Sequence, residues 1–282
     1  MKKIVTLISA IVFTASAVNA QDLMSKKGTP ILYEAGDYGI GIDANPLLQY
    51  FGNAFNHDAN TNPNWDFTDG TGMTITGLMV KDVNTAYRAK LRIGIGSNKN
   101  VYKVDNQATV ALDDFGDDER KISYRQITLG GGIQKMRGKG RLRGMYGAEA
   151  MIGLGGGKTE HTFANAITAT NNTPATAIPG QPNIDGSRTT ESKAGSTFMF
   201  GVRGFIGAEY FFAPKISIAG EFGWGPRLES TGEGETTTEA ANFNALGEFA
   251  GITTTTTNTG KSSAFSFDTD NNNGTLRLTL YF

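Results

Sequence analysis

The last nine residues, Gly274 to Phe282, alternate without a break. Leu276, Leu278, Leu280 and Phe282 fall on one face of an extended strand; Thr275, Arg277, Thr279 and Tyr281 fall on the other. A two-residue period belongs to β-structure, where successive side chains point to opposite faces. A strand that is apolar on one side, polar on the other and closed by an aromatic suits a wall between lipid and a polar interior.

The same period recurs in seven earlier segments, near Asp37–Ala44, Gly72–Val80, Thr85–Gly96, Lys121–Lys135, Arg141–Gly155, Thr197–Phe211 and Lys215–Pro226. Thr85–Gly96 is the clearest, with Tyr87, Ala89, Leu91 and Ile93 set against Arg88, Lys90 and Arg92. The connections are of two kinds that alternate along the chain. Asp82-Val83-Asn84, Arg137-Gly138-Lys139-Gly140 and Ala213-Pro214 are short, whereas the stretches near 45–71, 97–120, 156–196 and 228–273 are long and polar. That arrangement predicts an all-β fold, an eight-stranded antiparallel up-and-down transmembrane β-barrel spanning 37–282. Ten strands result if the third or fourth long loop holds another hairpin.

Other features fit an envelope protein. Met1-Lys2-Lys3, the apolar stretch Ile4 to Phe13 and Val18-Asn19-Ala20 read as a signal peptide over 1–20, because the apolar stretch is too short to span a bilayer. Residues 21–36 then form a periplasmic N-terminal segment, placed across the mouth of the barrel. An even strand number puts both termini in the periplasm. With no cysteine, a lipid anchor on Cys, disulfides, thiolate metal sites and a Cys nucleophile are all excluded. The 26 basic and 27 acidic side chains leave a net charge of −1, so nothing argues for nucleic acid as a partner. A mean hydropathy of −0.27 fits a membrane protein only if its membrane segments alternate. The competing architecture, a soluble barrel or sandwich of the lipocalin kind, turns its apolar face inward.

With the apolar faces outside, Asp43, Arg88, Lys90, Arg92, Arg143, Glu149, Arg203, Glu209, Glu221 and Arg277 meet inside. An eight-stranded barrel is just wide enough for side chains to fill. Unpaired charges in that space would cost several kcal/mol each, so these must pair into a polar plug. Gly39, Gly41, Gly130, Gly132, Gly147, Gly153, Gly201, Gly207 and Gly223 share that face and make room for the long side chains. The same residues also admit a second reading, an anion-selective constriction or a proton-active cluster. Tyr210, Phe211, Phe212, Tyr281 and Phe282 gather at the short-turn end and read as an interface girdle; Tyr38, Trp65, Phe67 and Trp224 lie elsewhere.

On the strand alternation, the aromatic belts and the terminal Phe282, the chain resembles small Gram-negative outer-membrane β-barrels of the OmpA transmembrane-domain type. The resemblance covers the mature chain in architecture, without the periplasmic domain of full OmpA. It implies integral outer-membrane localisation, a terminal assembly signal at Tyr281 and Phe282, and contact with the barrel-assembly machinery. It also implies partners in outer-membrane lipid and lipopolysaccharide, and in another envelope protein if the chain is a subunit.

Little in the loops points to chemistry. Asp113, Asp114, Asp117, Asp118 and Glu119, and the stretch Asp268–Gly274, could hold Ca²⁺ or bridge to lipid phosphates, but solvated acidic loops are the default, with no metal site and no cofactor. Asn45–Asn53 reads as a short amphipathic helix. Ala164–Gly180 and Thr253–Thr257 read as flexible exposed tracts. The two histidines, His57 and His161, lie in polar loops, and no spacing joins either to Ser196 or Ser230. The expected role is therefore non-enzymatic: a structural, scaffold or surface-interaction protein, alone or as a subunit of an envelope complex. A narrow channel lined by Arg88, Lys90, Arg92 and Arg203 is the second reading, and a lipid-modifying enzyme the third.

Overall fold

A computed structural model describes residues 23–44, 74–108, 114–181, 186–269 and 275–282. The signal peptide expected over 1–20, His57, Trp65, Phe67, the 45–53 stretch, Asp113 and residues 270–274 lie outside them. The described residues form one antiparallel sheet of twelve strands. They are β1 Tyr38–Asp43, β2 Ile75–Asp82, β3 Thr85–Asp105, β4 Phe115–Arg137, β5 Leu142–Thr162 and β6 Ser187–Lys193. Then come β7 Thr197–Ala213, β8 Ile216–Thr231, β9 Glu235–Phe243, β10 Phe249–Asn258, β11 Ser262–Thr269 and β12 Thr275–Tyr281.

Eight strands pair in a closed circuit. β1 through β5 pair in sequence, β5 pairs with β7, β7 with β8, β8 with β12, and β12 returns to β1. The closing pair sets Ile42 opposite Leu278 and Asp43 opposite Arg277, so the alternation at the end of the chain meshes with that of the first strand. One-residue slips would turn every side chain to the wrong face, which is why the shared period holds the register.

The ring places apolar side chains outward and charged ones inward. Ile93, Leu154 and Ile206 are 59%, 61% and 52% exposed, whereas Glu149 and Glu209 are 3% and 0% exposed. The turns Val83-Asn84 and Pro214-Lys215 join adjacent strands at one end. Lys215 has a positive φ of 55°, as the tight turn requires. At that end Ile31, Tyr33, Leu78, Val80, Met136, Met145, Phe211 and Tyr281 form an apolar core. Residues 23–36 enter it from below: Lys215 N donates to Ile31 O at 2.9 Å, and Gly36 N to Val80 O at 2.8 Å.

The long connections differ from expectation. Loop two shrinks to 106–114, because β3 and β4 run on as a ribbon of 21 and 23 residues. The 156–196 and 228–273 stretches are not plain loops: they contribute β6, β9, β10 and β11. At Gly155 β5 stops pairing with β7, and from Lys158 to Glu160 it pairs with β6 instead. β6 carries β9 and β10 as a wing. Thr253–Thr257, expected as a flexible tract, therefore lies within β10. β11 pairs with β8 over Trp224–Thr231, directly above the stretch where β12 pairs with it. A threonine run alternates no apolar face, so its strand pairing rests on neighbours, which periodicity cannot reveal. Among the described residues no helix is long and apolar enough to cross a membrane.

Candidate functional site

The inward-facing charges divide into two tiers. The upper tier is built around Glu149 on β5 and Glu221 on β8. Lys90 Nζ and Arg203 Nη1 lie 2.8 and 3.0 Å from Glu149 Oε1, and Arg88 Nε lies 3.3 Å from Oε2. Glu221 takes Arg88 Nη2 at 2.8 Å, Arg203 Nη1 at 2.9 Å, Lys90 at 3.5 Å and Arg277 at 3.7 Å. The Arg88 guanidinium also stands 4.4 Å from the centre of the Phe205 ring, with Arg203 on the same ring at 5.8 Å. Phe205 is a platform that the sequence reading passed over. Its parity with Arg203 and Glu209 was the available signal.

Four cations share two carboxylates, and both carboxylate side chains are 1–2% exposed. Charge-assisted hydrogen bonds to two or more partners are what make such burial tolerable. Glycine supplies the space. A methyl at Gly41 would stand 2.6 Å from Arg277 Cδ, and one at Gly223 would overlap the Arg203 guanidinium. At Gly132 and Gly207 the nearest atoms are instead strand backbone, so those glycines serve close strand approach. Asp43 lines a void of about 40 Å³ together with Arg88, Lys90, Glu221 and Arg277. Arg92 lies one inward step beyond Lys90, opposite Thr128.

Arg143 and Glu209, expected in the same network, belong to a lower tier. Arg143 donates to the Tyr33 hydroxyl, to Val83 O at 2.5 Å and to Asn84 Oδ1 at 3.3 Å. Glu209 accepts from Ser217 Oγ at 2.6 Å and Tyr281 Oη at 2.8 Å. Tyr33, Phe211 and Tyr281 pack as three rings with centroids 5.0–5.8 Å apart. Burial pushes the Tyr33 phenol well above its ordinary value, against the pull of the Arg143 charge. Phe211 and Tyr281 are thus 0% and 2% exposed, interior residues and not members of an outer girdle, while Phe212 and Phe282 do face outward at 48% and 60%. Bulky rings suit the interior here because the 23–36 segment brings its own apolar side chains to meet them. Arg277 links the tiers, with Nε 3.1 Å from Thr279 Oγ1 and Nη2 3.5 Å from Gln134 Oε1.

Toward the long-connection end the interior opens into a cavity of about 470 Å³, lined by Tyr124, Gln126, Thr128, Met199, Arg227 and Glu229 among others. The described acidic residues of loop two point to different partners. Asp117 and Glu119 pair with Lys103 and Lys99. Asp118 is fully buried and accepts from Ala164 N at 2.8 Å, Thr176 Oγ1 at 2.7 Å and Ala177 N at 2.9 Å. Together with Asn165, which accepts from Gln107 N and donates to Asp105 O, it pins the 164–180 tract. That tract is therefore a stitched loop and not the free linker expected from its composition. Among the described residues no group of acidic and histidine side chains is arranged to hold a metal ion. His161 lies on β5 opposite Arg120, with its ring against Phe163. Comparison with protein-family models, with curated proteins and with solved structures finds no match to this chain.

Proposed function

We propose that the chain is an integral outer-membrane protein whose eight-strand ring is a transmembrane β-barrel, closed inside and active through its outer surfaces. The barrel spans lipid with the short turns and both termini on the periplasmic side and with the ribbon, the stitched loop and the β6–β9–β10 wing outside the cell. It carries no cofactor and performs no turnover; it acts as a structural, scaffold or surface-interaction protein, alone or as a subunit of an envelope complex. One observation carries the closed interior: Glu149 and Glu221 are each engaged by three or more cations and are almost without exposure. A conducting pore keeps its lining charges wet, and an eight-stranded barrel has no width to spare for both side chains and a water column. Support for the lipid-facing wall comes from the exposed Ile93, Ile127, Leu129, Leu154, Phe200 and Ile206, an apolar surface larger than soluble proteins leave uncovered.

The test is electrical. The purified full chain, inserted into planar bilayers under molar KCl, is expected to give no stable unitary conductance. A stable conductance whose ion selectivity changes in Arg88→Ala would overturn the closed interior and restore the channel.

A further inference from the structure

The outer face of the ring changes character abruptly above its apolar band, on β3 to β6. The register sets Ile93, Ile127 and Leu154 side by side as the last fully apolar rung. One step up, about 6.6 Å along the strand, the rung is Ile95, Arg125 and Gly156. The next is Ser97, Ser123, Lys158 and Lys193, and the one after is Lys99, Lys121, Glu160 and Glu191. Between these rungs lies a groove of about 660 Å³, where β5 leaves β7 and takes up β6. Lys121, Arg125, Lys158 and Lys193 line it, and no carboxylate does.

We infer that this groove binds the phosphate groups of an outer-leaflet glycolipid, resting on the membrane placement proposed above. Two facts favour an anion. Lys158 stands directly opposite Lys193, and Lys99 directly opposite Lys121. Like charges so placed disfavour the sheet unless a counter-charge joins them. The carboxylates that answer them sit away from the apolar band. Glu160 lies 2.9 Å and Glu191 3.0 Å from Lys158, both from the rung above, and Glu160 lies 3.6 Å from Lys121 on its own rung. Glu235 reaches Lys193 from the side, at 3.8 Å. Arg125, the cation nearest the apolar band, has no ion pair among the described residues; its guanidinium lies over the bare backbone of Gly156, where the groove meets the interior cavity that both residues also line. A planar guanidinium left open beside three ammonium groups matches a phosphate bidentately. Ile95 beside Arg125, and Ile93, Ile127 and Leu154 one rung below, provide the surface on which the acyl chains of the same molecule lie. A lipid with phosphates at the head and several chains beneath satisfies both halves of the site; a free phosphate satisfies only the upper half.

The test uses the purified full chain in detergent micelles and native mass spectrometry, with diphosphoryl lipid A, its dephosphorylated form and inorganic phosphate as three separate probes. The triple variant Arg125→Gln, Lys158→Gln, Lys193→Gln is compared with Lys26→Gln, Arg137→Gln, Lys139→Gln, which removes equal charge at the other end. Folding of both is checked by heat-modifiable gel migration. Diphosphoryl lipid A is expected to bind wild type and the control equally and the triple variant roughly a hundredfold more weakly, at about a fivefold contribution per cation near a phosphate surface. Equal binding of that lipid to the folded triple variant overturns the site. Equal binding of the dephosphorylated form to wild type overturns the role of phosphate, and equally tight binding of inorganic phosphate overturns the lipid. Recovery of wild type as a soluble protein without detergent would instead defeat the membrane placement itself.

Discussion

Glu221→Gln should be among the most damaging conservative changes in this protein. The side chain keeps its size and loses its charge. In the wild type Arg88, Lys90, Arg203 and Arg277 stand over two carboxylates, and Glu221 takes the closest contacts of two of them, at 2.8 and 2.9 Å. The change leaves Glu149 alone against four cations in a buried space, where solvent screens charge weakly. Removing one partner of a buried pair costs about 3–5 kcal/mol. Counting the lost contacts instead, two charge-assisted hydrogen bonds at about 1.5–3 kcal/mol each lead to the same range. Urea titration of folding into lipid vesicles, followed by tryptophan fluorescence and by gel migration, measures it. Glu160→Gln is the companion: Glu160 pairs with Lys158 and Lys121 on the open surface, where screening leaves such pairs little worth. It should leave the titration unchanged. A Glu221→Gln loss below about 1 kcal/mol, or an equal loss from Glu160→Gln, would show that the interior charges are not a buried, mutually dependent network.

Two further expectations concern the short-turn end. Tyr33→Phe strips the hydroxyl that receives Arg143 and donates to Met136 Sδ at 2.7 Å, and should cost about 1–3 kcal/mol. Tyr33→Ala also empties a place among three packed rings and should cost about 3–5 kcal/mol in the same urea titration; equal losses from the two would remove the hydroxyl from the account. The Asp37–Lys215 pair, at 2.8 Å, predicts a pH profile. Burial tends to raise the Asp37 carboxyl, but the hydrogen bond and charge of Lys215 hold it below its ordinary value. The hydrogen bond to Asp37 raises Lys215 in turn. A depressed carboxyl stabilises above its unfolded pKa and stops doing so as pH falls through the folded one. A raised ammonium stabilises below its unfolded pKa and stops as pH rises through the folded one. The stability difference between wild type and Asp37→Asn should therefore be flat between roughly pH 4 and 10 and fade outside both limits. A difference that persists in strong acid would refute the pairing.

Much of the ring was legible beforehand. The alternation of Tyr87 to Ile93, of Phe198 to Tyr210 and of Leu276 to Phe282 marks inward and outward faces, because side-chain parity in a strand is a property of the backbone alone. The same parity brought Arg88, Glu149, Arg203, Glu221 and Arg277 together. It could not separate Arg143 and Glu209 from them, since parity names a face and not a height along it. Heights follow from strand register. The girdle misassigned to Phe211 and Tyr281 has a similar origin: an aromatic at a strand end suits either an interface or a lid. The choice was made by Ile31 and Tyr33, which arrive from a segment with no period of its own.

From its own order of residues, the chain determines that it forms antiparallel strands, which side of each is apolar, and that the charges share one interior. Those are local matters of a two-residue repeat and of charge too costly to bury alone. The tertiary structure alone decides which carboxylate meets which cation, that Ile31 and Tyr33 of the N-terminal segment enter the core at the short-turn end, and that β5 and β8 change partners above the ring. It also decides that Arg125, Lys158 and Lys193 stand together, though 68 residues separate the first from the last. Contacts between distant strands depend on register and on competition for the same backbone hydrogen bonds, and neither is written in the pattern of any one segment.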